Sequence, residues 1–330
     1  MHTVNCCTGP TNCSKDTDLD PETKAISFSD PDGYFCAPGT NRYPLKPRLQ
    51  LTGRSGCRVE LLEREGGVVV RKSSASPSYN KRLMLQAAKQ QSFRDGGGAG
   101  EFAAPAVLRQ YNGGTNTSAW YEMEYVHAER YSDYLERVTV DQLKGIVNQL
   151  IAYFDRGRLS SRVESPGRLI FENKLQELRY RIRTRPSLDE RVIKDVFSFL
   201  GTPPNENLYL GSCHGDFTLS NILFTHEKLY LVDFLDTFIE TPLQDIVKMR
   251  QDTCHRWITM IDQELPIHRL NKMTQILSYI DQFIGDYIEE DKILRSWYRY
   301  FQTFNLTRIL PYLTEEDEIT FVQKNLRLLL

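Results

Sequence analysis

Several things are scarce in this chain, and each absence narrows its class. No apolar run approaches the roughly 20 residues that a membrane span needs. Met1 to Cys7 has neither the basic start nor the apolar core of a signal peptide. Charge of one sign is also missing. Lys and Arg number 41 against 43 Asp and Glu, a net charge of −2, so neither nucleic acid nor an anionic membrane surface is implied as a partner. The seven cysteines are an odd number and include no Cys-x-x-Cys pair, which fits neither a disulfide framework nor a zinc knuckle. These absences predict a cytoplasmic protein with no membrane insertion. Residues 1–47 are poor in aliphatic side chains and rich in Pro, Gly, Asn, Asp, Ser and Thr. They read as an irregular extension, with Cys6, Cys7, Cys13 and Cys36 as free thiols.

What is present concentrates in one stretch. Cys213-His214-Gly215-Asp216-Phe217-Thr218-Leu219-Ser220-Asn221 reads as a loop. Ile222 to Phe224 and Leu229 to Val232 read as two apolar strands joined by a polar turn, and Asp233 ends the second. Such a hairpin would set Asn221 beside Asp233. Two oxygen ligands presented together suit Mg²⁺, which takes a few protein oxygens and completes its shell with water and phosphate. Asp216 would then face the gap beside the metal, where phosphoryl transfer needs a carboxylate to orient an incoming hydroxyl.

His214-Gly215-Asp216, then Asn221, then Asp233-Phe234 one strand later, resembles the aminoglycoside phosphotransferase and choline kinase family. That group is a small-molecule branch of the protein-kinase-like fold. The resemblance implies an α+β, bilobal architecture: a small antiparallel N-terminal sheet over residues 48–126 and a mainly helical part over 127–330. It implies ATP or GTP with Mg²⁺ as cofactors and a small hydroxyl compound as acceptor. Asp216 would be the catalytic carboxylate and Asn221 and Asp233 the metal ligands. His214 would brace the loop, and Asp245 would be the buried acid that holds its backbone. A protein kinase is disfavoured, because no Ala-Pro-Glu follows Asp233.

Upstream, Gly53-Arg54-Ser55-Gly56 sits before a strand, and Val68-Val69-Val70-Arg71-Lys72 forms the next. By the same resemblance Gly53, Ser55 and Gly56 form a loop over the nucleotide phosphates, and Lys72 reaches them. Strand alternation sends Arg71 to the other face. The backbone of Glu124 and Val126 would meet the adenine edge, with Met123 lining its pocket. The chain departs from the pattern at one place. The helix expected over Ser78–Ser92 offers no acid between Tyr79 and Arg94 to pair with Lys72. Gln86, Gln90 or Glu101 could take that part, or nucleotide binding is degraded.

Arginines and lysines crowd the region from Arg156 to Arg185. They read as a solvated helix face, or as a pocket for an anionic acceptor such as a charged sugar. Asp236 could touch metal or acceptor but reads rather as a turn cap, and Glu315, Glu316, Asp317 and Glu318 read as the acidic start of a helix. The Asp-Phe-Leu-Asp ending looks closer to phosphotransferase-like proteins of surface-polysaccharide genes than to antibiotic-resistance enzymes, which leans toward a sugar or polyol acceptor. Two readings stand: a nucleotide-dependent small-molecule kinase, and a catalytically impaired regulator or scaffold with the same fold.

Overall fold

A computed structural model describes residues 49–52, 57–96, 102–183, 185, 187–261 and 265–330. The extension and the glycine loop Gly53 to Gly56 lie outside them. In chain order the elements are β1 (Leu49–Thr52), β2 (Cys57–Arg64), β3 (Gly67–Ser74), α1 (Asn80–Asp95), β4 (Phe102–Ala103), β5 (Val107–Tyr111) and β6 (Trp120–Glu124). Then come α2 (Tyr131–Arg137), α3 (Val140–Leu159), β7 (Arg162–Glu164), α4 (Arg168–Ile182), α5 (Glu190–Leu200) and β8 (Leu208–Leu210). The rest are β9 (Ile222–Phe224), β10 (Leu229–Leu231), α6 (Pro242–Thr253), α7 (Trp257–Ile261), α8 (Ile267–Glu290), α9 (Lys292–Thr307) and α10 (Glu316–Leu329). The architecture is therefore an antiparallel sheet of order β1-β2-β3-β6-β5 followed by a helical part. It is the α+β arrangement expected. Among the described residues no helix is long and apolar enough to cross a membrane.

The local chemistry explains the element ends. The β2–β3 hairpin turns through Glu65 and Gly66 into Gly67, whose φ of 123° suits only glycine. Helix α3 opens on a reciprocal capping box between Thr139 and Gln142. Helix α6 starts with Pro242 at its first position, and the Thr241 hydroxyl accepts from Leu243 N–H. Helix α10 carries Glu316, Asp317 and Glu318 in its first turn, where the helix dipole favours carboxylates. Helix α1 begins two residues later than its expected start at Ser78, because Pro77 to Tyr79 forms a separate 3-10 turn.

Two cores form. The upper one joins Val59 and Val70 of the sheet to Leu83 and Ala87 of α1, with Tyr121 and Met123 of β6. The lower one is larger and gathers the faces of α3 to α10. The hairpin β9–β10 belongs to both. Its Leu223 and Val232 pack in the upper core, while Ile222, Phe224, Leu229 and Leu231 pack in the lower. Successive residues of a strand face opposite sides, so this hairpin joins the two halves. Strand β4 adds a short parallel pairing to β10. Trp297 of α9 is fully buried in the lower core, and its indole N–H donates to Asn207 O at 3.0 Å. Trp297→Ala removes both the packing and this bond. It is expected to cost about 3–5 kcal/mol of unfolding free energy, read as a lowered urea midpoint at unchanged m-value.

Candidate active site

The loop before β9 is built around a buried carboxylate. Asp245 of α6 accepts from His214 N–H at 2.7 Å, from Gly215 N–H at 2.8 Å and from the Tyr153 hydroxyl at 2.8 Å. Burial pushes its pKa up to about 6 in spite of these donors. Gly215 has φ +90°, and a Cβ there would stand 2.4 Å from Leu235 O. The middle residue of His-Gly-Asp is therefore glycine for two reasons: backbone conformation and the close passage of the strand end.

His214 is 1% exposed and points inward. Asp216 N–H donates to its Nδ1 at 3.2 Å, so the ring proton lies on Nε2, which donates to Val232 O at 2.9 Å. Burial lowers its pKa to about 4, which keeps the ring neutral. His214 thus ties the loop to the strand that ends in Asp233 and makes no proton available to the cleft.

Asp216 itself turns outward. Its Oδ1 pairs with Lys248 Nζ at 2.9 Å, and Asn221 Nδ2 donates to its Oδ2 at 3.0 Å and to its backbone O at 2.8 Å. Burial alone would raise its pKa; Lys248, His214 and Asn221 outweigh that and hold it below the ordinary carboxylate value. With its amide nitrogen committed, Asn221 presents Oδ1 as its acceptor. Val232 N–H bonds Asn221 O at 3.1 Å, so Asn221 and Asp233 emerge from neighbouring points of the hairpin.

Asp233 has φ 66°, in the left-handed region that a residue other than glycine rarely occupies. Its carboxylate pairs with Lys72 Nζ. Lys72 is 3% exposed and also donates to Gln86 Oε1 at 3.3 Å. Burial would depress the ammonium, but Asp233 and Tyr121 outweigh it and the pKa is raised. Gln86 therefore stands where an acid was missing. Gln90 instead donates to Pro105 O at 2.8 Å, and Glu101 lies outside the described residues. Arg71 faces away, with its guanidinium on Glu122 at 2.7 Å and over the Trp120 ring.

Met123 and Val126 lie in the upper core with Leu223 and Val232. A cavity of about 400 Å³ opens against residues 124–129 and the β9–β10 turn. The Glu124 N–H is bonded to Ala106 O at 2.9 Å, so a base edge could meet Glu124 only through its carbonyl. Gly53, Ser55 and Gly56 lie outside the described residues.

Asn221 and Asp233 supply one amide oxygen and one carboxylate, a hard-oxygen pair of the kind Mg²⁺ takes alongside substrate phosphates. Among the described residues no three His, Cys, Asp or Glu side chains group as metal ligands. The donor set therefore fits a phosphate-bridged Mg²⁺ better than a metal caged by protein alone.

Sequence reasoning missed two groups, Lys248 and Arg308, and leaned to the plainer reading of a third, Asp236. Lys248 stands one turn after Asp245 on α6, a spacing that could have shown it. Asp236 is more than a turn cap, since it accepts from Arg82 Nε at 2.7 Å. Arg308 follows α9, far along the chain, and no local pattern marks it.

The titration of the site has a definite sign. The folded pKa of His214, about 4, lies below its ordinary 6.5. Its stabilising contribution is therefore present above about pH 6.5 and lost as pH falls toward 4. Asp245, pushed up to about 6, and Asp252, pushed up to about 7 by burial, act oppositely and lose stability as pH rises through those values. The destabilisation caused by His214→Gln should then be larger at neutral pH than near pH 4, by about 2–3 kcal/mol. Urea titrations of wild type and variant across that range check it; a pH-independent difference would contradict the neutral buried ring.

The model of the phosphotransferase enzyme family matches residues 51–275. No significant match is found among curated proteins. Solved structures similar to this chain include a thermostable mutant of aminoglycoside phosphotransferase APH(4)-Ia, at TM-score 0.54 and 12% identity over 86% of this chain and 94% of that one. Another is an aminoglycoside 2'-phosphotransferase-IIIa in complex with GDP, at TM-score 0.51 and 14% identity over 86% and 92%. A protein described as a fructosamine-3-kinase from Thermobifida fusca follows at TM-score 0.50 and 12% identity over 86% and 93%. At such identities the likeness speaks for the protein-kinase-like fold. The family match covers more than half of the chain, and the chain belongs to the phosphotransferase enzyme family.

Proposed function

We propose that this protein transfers the terminal phosphoryl group of ATP or GTP to a hydroxyl of a small acceptor. The observation that carries the reading is the direct chain of contacts Lys72–Asp233, Val232–Asn221 and Asn221–Asp216. It gathers a lysine, an amide and two carboxylates around one hairpin, which supports a nucleotide–metal site. Relatives of the same fold were solved with ADP and hygromycin B and with GDP, which supports a nucleotide here.

In this reading the nucleotide lies between the parts at 48–126 and 127–330, with its base against Met123, Val126 and the carbonyl of Glu124. Gly53, Ser55 and Gly56 would cover its phosphates. Lys72 binds them. Asn221 and Asp233 would hold Mg²⁺, which would neutralise phosphate charge. Asp216 orients the acceptor hydroxyl. Lys248 keeps Asp216 anionic and weakly basic, so its value lies in positioning and in taking the proton late. A sugar or polyol of surface-polysaccharide metabolism fits the resemblance at Asp233 to Asp236.

The amide of Gln86 in place of an acid favours a second reading, a nucleotide-binding regulator with impaired chemistry. One experiment separates the two. Asp216→Asn should lower turnover by about 100- to 10,000-fold while nucleotide affinity stays within about twofold. Asp233→Ala should weaken nucleotide binding in the presence of Mg²⁺. Nucleotide hydrolysis that is equal in wild type and Asp216→Asn would favour the regulator.

A further inference from the structure

One buried cation near the Lys248–Asp216 pair has no hydrogen-bond partner for one of its nitrogens. Lys248 pairs with Asp216 at 2.9 Å. Arg82 of α1 pairs with Asp236 at 2.7 Å and leans on the Tyr79 ring. Arg181 of α4 lies 3.8 Å from Glu177 and over the Tyr312 ring. Arg308, just past the end of α9, remains. Its Nη1 is buried and makes no hydrogen bond. Three residues earlier, the Asn305 amide donates to Gln251 Oε1 at 3.0 Å; the same oxygen accepts from Lys248 Nζ at 3.4 Å, and Lys248 holds Asp216. This chain of contacts sets Arg308 on the Lys248 side of Asp216, whereas Asn221 holds the other carboxylate oxygen. Burial lowers the Arg308 pKa from the ordinary arginine value and Asp216 opposes that shift; a guanidinium stays charged all the same.

A buried guanidinium nitrogen without a partner is costly, and the cost falls when an oxyanion fills the place. The basic residues of α4 and the segment just after it do not compete for that role. Arg168 pairs with Glu172, Lys174 with Glu177, and Arg185 donates to the backbone oxygens of Leu313 and Pro311. The Arg179 guanidinium lies over the Phe197 ring, and that of Arg183 over Tyr180. They form a surface of separate contacts instead of one convergent pocket.

We propose that Arg308 binds an anionic group, a carboxylate or a phosphate, carried by the acceptor whose hydroxyl Asp216 orients. The inference rests on the phosphotransferase reading above. It makes Arg308 a specificity-determining residue, and it disfavours a polycationic acceptor, which would meet a buried positive charge near Asp216.

The test measures nucleoside diphosphate release by the full chain with Mg²⁺ and ATP or GTP on matched acceptors. The pairs are glycerate against glycerol, galacturonate against galactose, and glucose 1-phosphate against glucose, with kanamycin as the cationic arm. The first two pairs report carboxylate recognition and the third phosphate recognition. In at least one pair the anionic member should show a kcat/KM higher by about 10- to 100-fold, as charge-assisted hydrogen bonds imply. Arg308→Met should bring that ratio close to one, and Arg308→Lys should restore part of it; nucleotide affinity and melting temperature report the folding of each variant. If Arg308→Met does not fold, the wild-type ratios and Arg308→Lys decide. A panel in which no anionic member exceeds its neutral partner, or in which kanamycin is preferred, overturns the proposal. So does an Arg308→Met variant that lowers both members by the same factor. Diphosphate release that is the same in wild type and Asp216→Asn would instead sink the phosphotransferase reading, so the two failures are told apart.

Discussion

The constraint on which the site depends is the shared hairpin β9–β10. Leu223 and Val232 are claimed by the upper core, and Ile222, Phe224, Leu229 and Leu231 by the lower. A slip of one residue would send each apolar side chain to the wrong core and carry Asn221 and Asp233 out of register. The polar residues at the hairpin's edges inherit that precision: Asn221 enters the first strand, and Asp233 leaves the second at a left-handed φ of 66°. That backbone strain persists because neighbouring bonds over-determine it. Val232 N–H is held by Asn221 O, and Leu235 N–H by His214 O.

The loop is locked from below by buried polar groups, which frees its outer face. Asp245 satisfies the backbone N–H groups of His214 and Gly215, and the neutral His214 ring bridges Asp216 N–H to Val232 O. Each of these groups would be expensive if left unpaired at such depth. Together they hold a tight turn whose only outward side chain of consequence is Asp216. Asp252 plays a similar part further along, accepting from Leu219 N–H at 2.9 Å. Tyr153 stacks on Phe217, centroids 4.5 Å apart, and carries the hydroxyl that reaches Asp245. The apolar core and the polar lock are thus one assembly.

Much of this was legible in the sequence, for physical reasons. Period-two alternation separated Lys72 from Arg71, and the structure pairs them with Asp233 and Glu122 on opposite faces. The loop–strand–turn–strand reading needed only apolar runs and a polar turn. The absence of an acid on α1 was visible, and so was Gln86 as a substitute. Other features were hidden because they depend on distance in the chain. The two residues of β4 pair with β10 across more than a hundred positions, too short a run to show periodicity. Strands β7 and β8 pair with α4 and α5 between them. Arg308 comes to the Lys248 side of Asp216 only because α9 packs against α6, where Asn305 bonds Gln251. The basic stretch from Arg156 to Arg185 invited a pocket, yet individual partners absorb most of its charges.

The amide at position 86 has a consequence for how phosphate would enter. An acid on α1 could hold Lys72 permanently and leave Asp233 free for metal. Gln86 supplies a dipole but no charge, so among the described residues Asp233 is the one carboxylate that neutralises buried Lys72. One carboxylate cannot serve the lysine and a divalent cation at full strength. In the proposed reading, Asp233 would hold the metal and Lys72 would bind the phosphates, so the Lys72–Asp233 pair would have to open when both are bound. Neither exchange is favourable without the other, because each alone would leave a buried charge uncompensated. Metal and nucleotide would then bind as a coupled unit, and the substitution at position 86 becomes a source of that coupling without implying lost function.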